Sequence, residues 1–205
     1  MLCCVAKGFE RIIVDHIMEY LENAKILSNT QFGFRSKSNT IKNLTFTYDR
    51  VTQLLERKCA VDIIYIDLAK AFDKVPHDLL LRKLLQVSIN PFIVKWISNY
   101  LSNRNQRVII NGKESSLLPV PSGVLQGSII GPTLFLIYLN DFLEGNLQNS
   151  LSAFADDCKI FGIVSPQLSL QDDLYKLEKW WDDNLMKINE EKCKLCIWEE
   201  EINIR

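Results

Sequence analysis

The chain has 205 residues, of which 47% are hydrophobic and 24% are charged, a globular composition that argues against disorder and is enough for one large or two small packed units. The formal net charge of −1 conceals an asymmetry, because residues 1–30, 31–113 and 114–205 carry net charges of −1, +8 and −8. The basic middle third can attract phosphates, and the carboxylates of the acidic last third would need cations nearby. The alternative is that both are ordinary solvated faces.

Neither a membrane span nor disulfide bonds are expected. No apolar run approaches the roughly 18 residues of a membrane span, and the apolar start is too short for a signal peptide, so we expect an intracellular protein that contacts no membrane. The 6 cysteines show no paired spacing that would indicate disulfides. Cys193 and Cys196 have the spacing of half a zinc knuckle, but the 2 histidines are distant in sequence, which favours packing cysteines in a strand.

The first third of the chain predicts two helices, a loop and a strand. Apolar residues at helical spacing predict an amphipathic helix over residues 8–22, and residues 28–38 are polar and predict a loop. Thr40 is a candidate cap for a helix that extends to about Arg57. The apolar, β-branched run Ala60–Ile66 predicts a buried strand that ends at Asp67.

The middle of the chain predicts helices and then a hairpin. His77–Leu101 contains two helical patterns, which are separated at Asn90-Pro91 because proline suits a first helical turn. Asn111-Gly112 favours a type I′ turn between strands formed by Arg107–Ile110 and Lys113–Leu118. A turn-rich segment, residues 119–132, then leads into an apolar helix over residues 133–142.

The last third predicts a second hairpin, a helix and a final strand. Strands at Leu151–Phe154 and Cys158–Val164 flank a turn at residues 155–157. Ser169 and Asp172 form a candidate capping box for a helix that extends to about Ile188, and Lys194–Trp198 predicts the last strand. With helices and strands interleaved and no internal repeat, the simplest expectation is one α+β unit.

Three carboxylates are candidates for metal chemistry. Asp67 ends an apolar strand, where its side chain can point into a cleft, although a lone aspartate there more often caps the next helix. Asp156 and Asp157 are adjacent acids at a tight turn, and they repel each other unless a cation or solvent screens them. Together the three suit two magnesium ions about 3.5–4 Å apart that assist a phosphoryl transfer.

Five segments of the chain, in order, resemble the catalytic core of reverse transcriptases from LINE-type, non-LTR retrotransposons. They are Gln31-Phe-Gly-Phe-Arg35, Tyr65-Ile-Asp-Leu-Ala-Lys-Ala-Phe-Asp-Lys-Val-Pro-His77, Ser122-Gly-Val-Leu-Gln-Gly-Ser-Ile-Ile-Gly-Pro132, Phe154-Ala-Asp-Asp157 and Lys187-Ile-Asn-Glu-Glu-Lys192. A four-residue match can arise by chance, but five in sequence over nearly the whole chain are specific.

The resemblance implies a fold and an activity. The expected fold is α+β, with a palm-like antiparallel sheet packed on helices, partial fingers and no complete thumb. Residues 1–59 would be partial fingers, and residues 60–205 would be the palm with a helical insertion at about 78–105. The implied activity is RNA-directed DNA polymerisation, with an RNA template, a DNA primer, deoxynucleoside triphosphates and two Mg²⁺ ions, for which Mn²⁺ could substitute.

The resemblance also implies the roles of individual residues. Asp67, Asp156 and Asp157 would be catalytic metal ligands, and Leu68 would complete the metal site. Lys192 would assist the leaving pyrophosphate, although Lys194 competes for this role and Cys193 stands where the family usually has threonine. The substrate-binding residues would be Leu68, Ala69, Phe72, which would block a ribose 2′-OH, Gln126, Gly127 and Arg35.

Other interpretations remain open at this stage. The first fingers segment, which would precede Met1, and the thumb, which would follow Trp198, are not in the sequence, so we expect a truncated polymerase with weak affinity for primer and template. A catalytically inactive remnant that serves as a nucleic-acid-binding or structural module is the main alternative. A nucleotidyl cyclase-like palm also uses paired acids on a hairpin, but it predicts no role for Phe72 or Gln126.

Overall fold

The computed structural model describes residues 3–164 and 170–198, which form an α+β fold with seven helices and eight strands. The helices are α1 (Cys4–Asn23), α2 (Thr40–Glu56), α3 (Ala71–Lys74), α4 (His77–Gln86), α5 (Pro91–Leu101), α6 (Ile130–Leu143) and α7 (Leu170–Asp183). The strands are β1 (Val61–Ile66), β2 (Asn105–Gln106), β3 (Ile109–Ile110), β4 (Lys113–Glu114), β5 (Leu118–Pro119), β6 (Ser150–Phe154), β7 (Asp157–Ile163) and β8 (Lys194–Trp198).

Most predicted elements are confirmed, and three local expectations are wrong. Asn39, not Thr40, caps α2, because its side chain accepts a hydrogen bond from the Lys42 N–H and leaves Thr40 as the first helical residue. Helix α6 begins at Ile130, three residues before the predicted start, since proline at 132 is compatible with a first helical turn. Asp157 belongs to β7 rather than to the turn. The predicted cap Ser169 lies outside the described residues.

The predicted hairpin turn at Asn111-Gly112 is confirmed. Both residues have positive φ, 50° and 75°, which is the backbone of a type I′ turn. The strands that it joins, β3 and β4, have only two residues each, shorter than predicted, and β2 pairs with β5 beyond them. The hairpin therefore forms two short ladders instead of one long one.

The chain divides into two compact units. The first comprises the described residues up to Ile26 together with Lys70–Tyr138, and the second comprises Leu27–Ala69 together with the described residues from Leu139 onward. The assignment of residues 1–59 to partial fingers and 60–205 to the palm stays a prediction.

A buried glutamate organises the first unit. The Glu10 side chain, only 1% exposed, accepts hydrogen bonds from the Tyr100 hydroxyl at 2.7 Å and from the Ile129 N–H at 2.7 Å. Because Ile130 opens α6, the carboxylate lies at the N-terminal end of that helix, where main-chain N–H groups lack helical partners and negative charge is favoured. Glu10 thus connects α1 with α5 and with the start of α6.

The second unit is built on a four-stranded antiparallel sheet in the order β6-β7-β1-β8. Side chains alternate between the two faces of β1. On one face, Val61 and Ile63 form a buried core with Phe161 of β7 and Val51 of α2. On the other face, Ile64 lines a cavity together with residues of α7. Burial of Val61, Ile63 and Ile66 explains why β1 is mostly apolar, although Asp62 interrupts the run.

No helix in the part of the chain that the structure describes combines the length and the apolar character needed to cross a membrane.

Candidate active site

Asp67 lies at the end of the central strand. The last paired residues of β1 and β7 are Ile66 and Cys158, and continuing that register by one residue places Asp67 opposite Asp157. Residues directly opposite each other in an antiparallel pair share one face of the sheet, with Cβ atoms about 4.5–5.5 Å apart. The central strand and its neighbour thus end with carboxylates on the same face.

Asp156 lies in the hairpin turn that joins β6 to β7. Phe154 pairs with Asp157, so the loop between the strands consists of only Ala155 and Asp156. Ala155 has φ 58°, a left-handed conformation that costs an alanine about 1–2 kcal/mol. The tight turn keeps Asp156 within two residues of both strands.

The electrostatics of Asp156 are dominated by burial and by neighbouring acids. Burial raises the pKa of its carboxyl above the ordinary value, and the negative charges of Asp157 and Asp67 raise the pKa further. A main-chain hydrogen bond and the Lys192 ammonium group lower the pKa, but by less. The site therefore contains mutually repelling carboxylates whose ionised forms a cation would stabilise.

Lys192 is brought to Asp67 by the segment before β8. Its Nζ lies 3.5 Å from Asp67 Oδ2. The Asn189 N–H donates to the Asp67 carbonyl at 2.8 Å, and the Ala69 N–H donates to the Lys187 carbonyl at 2.7 Å. These two hydrogen bonds form an antiparallel bridge between Leu68 and Ile188 that fixes the segment beside the end of β1. Lys194, the competing candidate, lies in β8.

This bridge also bears on the roles predicted for Leu68 and Ala69. The Ala69 N–H is already used by Lys187, so this group is not free for a substrate. A leucine can bind a metal only through its main-chain carbonyl, and neither hydrogen bond of the bridge uses the Leu68 carbonyl. The predicted metal contact of Leu68 is thus compatible with the bridge, and both roles stay predictions.

Asp67, Asp157 and Lys192 line one cavity of about 680 Å³ in the second unit. Lys159, which the sequence analysis missed, also lines it and is 9% exposed. Burial lowers the pKa of Lys159, and the negative charge of Asp157 partly offsets this. The available signal was a lysine two residues after Asp157 in an apolar strand, where side-chain alternation places both on one face.

The candidate ligands at this site are of the chemical type that magnesium prefers. Hard carboxylate oxygens are the ligands that Mg²⁺ prefers, and the ion usually keeps waters and substrate phosphates among its ligands. Among residues 3–164 and 170–198, no three carboxylate, thiol or imidazole groups come close enough together to hold a metal ion. Metal binding by Asp67, Asp156 and Asp157 stays a prediction.

Phe72, Gln126 and Gly127 lie in the first unit. The Phe72 ring stacks on Phe135 with centroids 4.3 Å apart, and its carbonyl accepts from the Val124 N–H at 2.8 Å. The exposed Gln126 side chain donates to Asp73 Oδ1 at 2.8 Å, and the exposed Gly127 has φ 81°. The second and third matched segments therefore pack directly on each other, which sequence spacing alone did not show.

Arg35 braces its own loop. Its guanidinium donates to the Ser28 carbonyl at 2.5 Å and is 3.4 Å from the Gln31 carbonyl. These hydrogen bonds give Arg35 a structural role within its loop. Its predicted contact with template or primer stays a prediction.

The fold is similar to that of solved telomerase structures. A telomerase of Candida tropicalis in complex with a fragment of telomeric RNA superposes with a TM-score of 0.68 at 13% identity, over 92% of this chain and 34% of that one. A telomerase of Candida albicans superposes with a TM-score of 0.63 at 12% identity, over 98% of this chain and 36% of that one. At these identities the likeness concerns the fold alone.

The family is established by sequence. The family described as reverse transcriptase (RNA-dependent DNA polymerase) matches residues 1–204, so the chain belongs to it. The RNA-directed DNA polymerase from mobile element jockey of Drosophila melanogaster is 28% identical over 94% of this chain and 22% of its own length. The probable RNA-directed DNA polymerase from transposon X-element of the same fly is 30% identical over 77% of this chain and 18% of its own.

A third relative, the Pol polyprotein of the type-1 retrotransposable element R2 of Popillia japonica, is 25% identical over 85% of this chain and 24% of its own length. These relatives confirm the resemblance to non-LTR retrotransposon enzymes. The chain spans about a fifth of the length of the first relatives named here.

Proposed function

We propose that this chain is the catalytic part of an RNA-directed DNA polymerase, which adds deoxynucleotides to a primer 3′-OH opposite an RNA template. The observation that carries the proposal is that Asp67, which follows β1, and Asp157, which begins the paired strand β7, line one cavity with Lys192. The membership of the chain in the reverse transcriptase family supports the same reaction.

The carboxylates have a defined role in this proposal. Asp67, Asp156, Asp157 and the Leu68 carbonyl would hold two Mg²⁺ ions, for which Mn²⁺ could substitute. Bound there, the ions would stabilise the attacking and leaving oxygens of an in-line phosphoryl transfer. Burial and repulsion by the neighbouring acids raise the pKa of Asp156, and bound cations would relieve that repulsion.

Lys192 is proposed to act on the leaving group. An ammonium group neutralises the charge that develops on pyrophosphate and can donate a proton to it. The Lys192 side chain is 66% exposed, lines the cavity and pairs with Asp67. An exposed ion pair of this kind is weak, and a phosphate can replace the carboxylate at little cost.

A primer-extension assay tests the proposed function. The chain is incubated with a homopolymer RNA template, an annealed DNA primer, the complementary deoxynucleotide and Mg²⁺ or Mn²⁺, and is compared with Asp156→Asn. We expect extension by the unaltered chain and none by the variant. If neither the unaltered chain nor Asp156→Asn extends primer with either metal, the proposed activity of this chain is wrong. Retained binding of the template would then favour an inactive nucleic-acid-binding module.

Phe72 provides a test of substrate choice. Because its ring is stacked on Phe135, the side chain is held in place, and shortening it in Phe72→Val opens space that a ribose 2′-OH can occupy. We expect the preference for deoxynucleotides over ribonucleotides, measured as the ratio of kcat/KM values, to fall about tenfold to hundredfold. Phe92→Val, which shortens an 84% exposed phenylalanine of the same unit, should leave the ratio unchanged. An equal change in both variants would remove Phe72 from this role.

A further inference from the structure

The Gln31 side chain binds the turn that carries Asp156. Its Oε1 accepts a hydrogen bond from the Ala155 N–H at 2.9 Å, and its Nε2 donates to the Ala155 carbonyl at 3.2 Å. One side-chain amide thus satisfies both main-chain polar groups of the residue that precedes Asp156. Gln31 is 3% exposed, so water does not compete for these hydrogen bonds.

Gly33 permits this close approach. A Cβ atom at residue 33 would lie 2.3 Å from the Ala155 nitrogen, which is far inside van der Waals contact. The Gly33 N–H also donates to Gln31 Oε1 at 2.7 Å and orients the amide. Glycine is required here by the proximity of the turn rather than by its own φ.

The segment around Gln31 is anchored from both sides. The Phe32 N–H donates to the Ala153 carbonyl and the Ala153 N–H donates to the Thr30 carbonyl, both at 2.8 Å, which forms a parallel bridge to β6. The Ser28 N–H donates to Asn140 Oδ1 of α6 at 2.8 Å. A segment held in this way can transmit its position to the turn.

The turn requires such support. Ala155 is a non-glycine residue in the left-handed region, with φ 58°, in a loop of only two residues. Strained backbone persists only where its surroundings hold it, and the next residue is a carboxylate repelled by two other acids. Hydrogen bonds to both polar groups of Ala155 oppose rotation of its peptide planes.

We propose that Gln31 is a positioning residue of the polymerase site, which fixes the Ala155 turn and thereby the placement of Asp156. This inference rests on the proposed function for its effect on catalysis. The two hydrogen bonds between the Gln31 amide and Ala155, which we call the clamp, are a property of the unliganded protein. Gln31 acts through the main chain of Ala155 and touches no reacting atom. Gln31 and Gly33 both lie in the first matched segment, in which the family resemblance implies a role only for Arg35.

Gln31→Met tests the proposal, because methionine fills a similar volume without the amide. Amide hydrogen exchange, followed by NMR on the full chain without ligands, should show protection of the Ala155 N–H falling about tenfold or more, while Ile160 and Phe161 in β7 keep theirs. Binding of Mn²⁺, measured by electron paramagnetic resonance, should weaken several-fold. In single-nucleotide addition, kcat should fall about tenfold to hundredfold with KM for the nucleotide within about twofold.

Gly33→Ala provides a second variant, since it keeps the amide but pushes the turn away, and it should give the same pattern. The control is Thr47→Ala, which removes a buried hydroxyl that donates to the Asn43 carbonyl within α2. It should lower the melting temperature yet keep Ala155 protection and kcat.

Two results would overturn the proposal: unchanged Ala155 protection in Gln31→Met, or lost protection with kcat and Mn²⁺ affinity intact. If Thr47→Ala loses as much kcat as Gln31→Met for the same fall in melting temperature, the effect of Gln31 is one of stability alone, and the proposal also fails. If the unaltered chain extends no primer, the proposed function fails. The clamp is then tested by comparing Ala155 protection and Mn²⁺ affinity between Gln31→Met and the unaltered chain.

Discussion

Asp67→Asn should lower the rate of nucleotide addition by about a thousandfold or more, because Asp67, like Asp156, is a proposed ligand of the catalytic metal ions. Asparagine keeps the shape of the side chain but replaces a charged oxygen with an amide that holds a hard cation poorly. A thousandfold loss corresponds to about 4 kcal/mol of transition-state stabilisation, which is within the range for a ligand of a catalytic metal. Single-turnover primer extension measures the effect.

The stability of the fold should hardly change in Asp67→Asn. The ion pair that the substitution removes involves a Lys192 side chain that is 66% exposed, and exposed pairs contribute about 0–1 kcal/mol. Asp49→Asn is the matched control, because Asp49 is an exposed aspartate of α2 in the same unit. It should keep both activity and melting temperature. Activity within tenfold of the unaltered chain in Asp67→Asn would show that this carboxylate is not part of the reaction.

Lys192→Met and Asp67→Asn should differ in the size of the loss of rate in single-turnover primer extension. Lys192→Met leaves the carboxylates in place, so we expect a loss of about a hundredfold, at the lower end of the roughly hundredfold to ten-thousandfold contribution of one general acid. A loss equal to that of Asp67→Asn would instead indicate that the lysine helps to hold the carboxylate site together.

The strands and carboxylates of the site could be predicted from the sequence because their signals are local. An apolar, β-branched run followed by Asp67 predicts a buried strand with an acid at its end, and Ala-Asp-Asp between two apolar runs predicts a hairpin. The family resemblance then placed the three acids in one site. The boundaries were less exact, since both Asn39 and Thr40 are acceptable helix caps and only the backbone conformation decides between them.

The supporting contacts could not be predicted, because they join residues distant in sequence. Gln31 and Ala155 are 124 residues apart, and no periodicity or turn signal connects them. The same holds for Glu10, which lies in a helix whose pattern indicates only amphipathicity, yet its carboxylate meets Ile129 at a separation of 119 residues. Polar residues on an otherwise apolar face carried the signal, but each had several possible partners.

Asp173→Asn should destabilise the second unit by about 2–4 kcal/mol at neutral pH, as expected when a buried carboxylate loses its charge-assisted hydrogen bonds. The Asp173 side chain is fully buried in the first turn of α7. It accepts hydrogen bonds from the Gln148 and Asn149 N–H groups at 2.9 and 2.8 Å, and its other oxygen is 3.0 Å from Lys176 Nζ. An amide at this position would turn an NH₂ group toward these donors.

The effect of Asp173→Asn should depend on pH. Burial alone would raise the pKa of Asp173, but hydrogen bonds from Asn149, Lys176 and Gln148 outweigh it and hold the pKa below the ordinary value of 3.8. A carboxylate with a depressed pKa in the folded state stabilises the fold above its unfolded pKa, and this stabilisation is lost as the pH falls through the folded pKa. The difference between variant and unaltered chain should therefore be constant above about pH 5 and shrink below about pH 4.

Urea unfolding followed by tryptophan fluorescence measures this difference, because Trp180 and Trp181 lie in the same helix as Asp173. Asp172→Asn is the matched control: Asp172 is exposed in the same first turn, so both variants lose a favourable interaction with the helix dipole of about 0.3–1 kcal/mol. Only Asp173→Asn also loses the buried hydrogen bonds. Equal destabilisation by the two substitutions at pH 7, or a difference that grows as the pH falls below 4, would contradict the assignment of this stability to the ionised carboxylate.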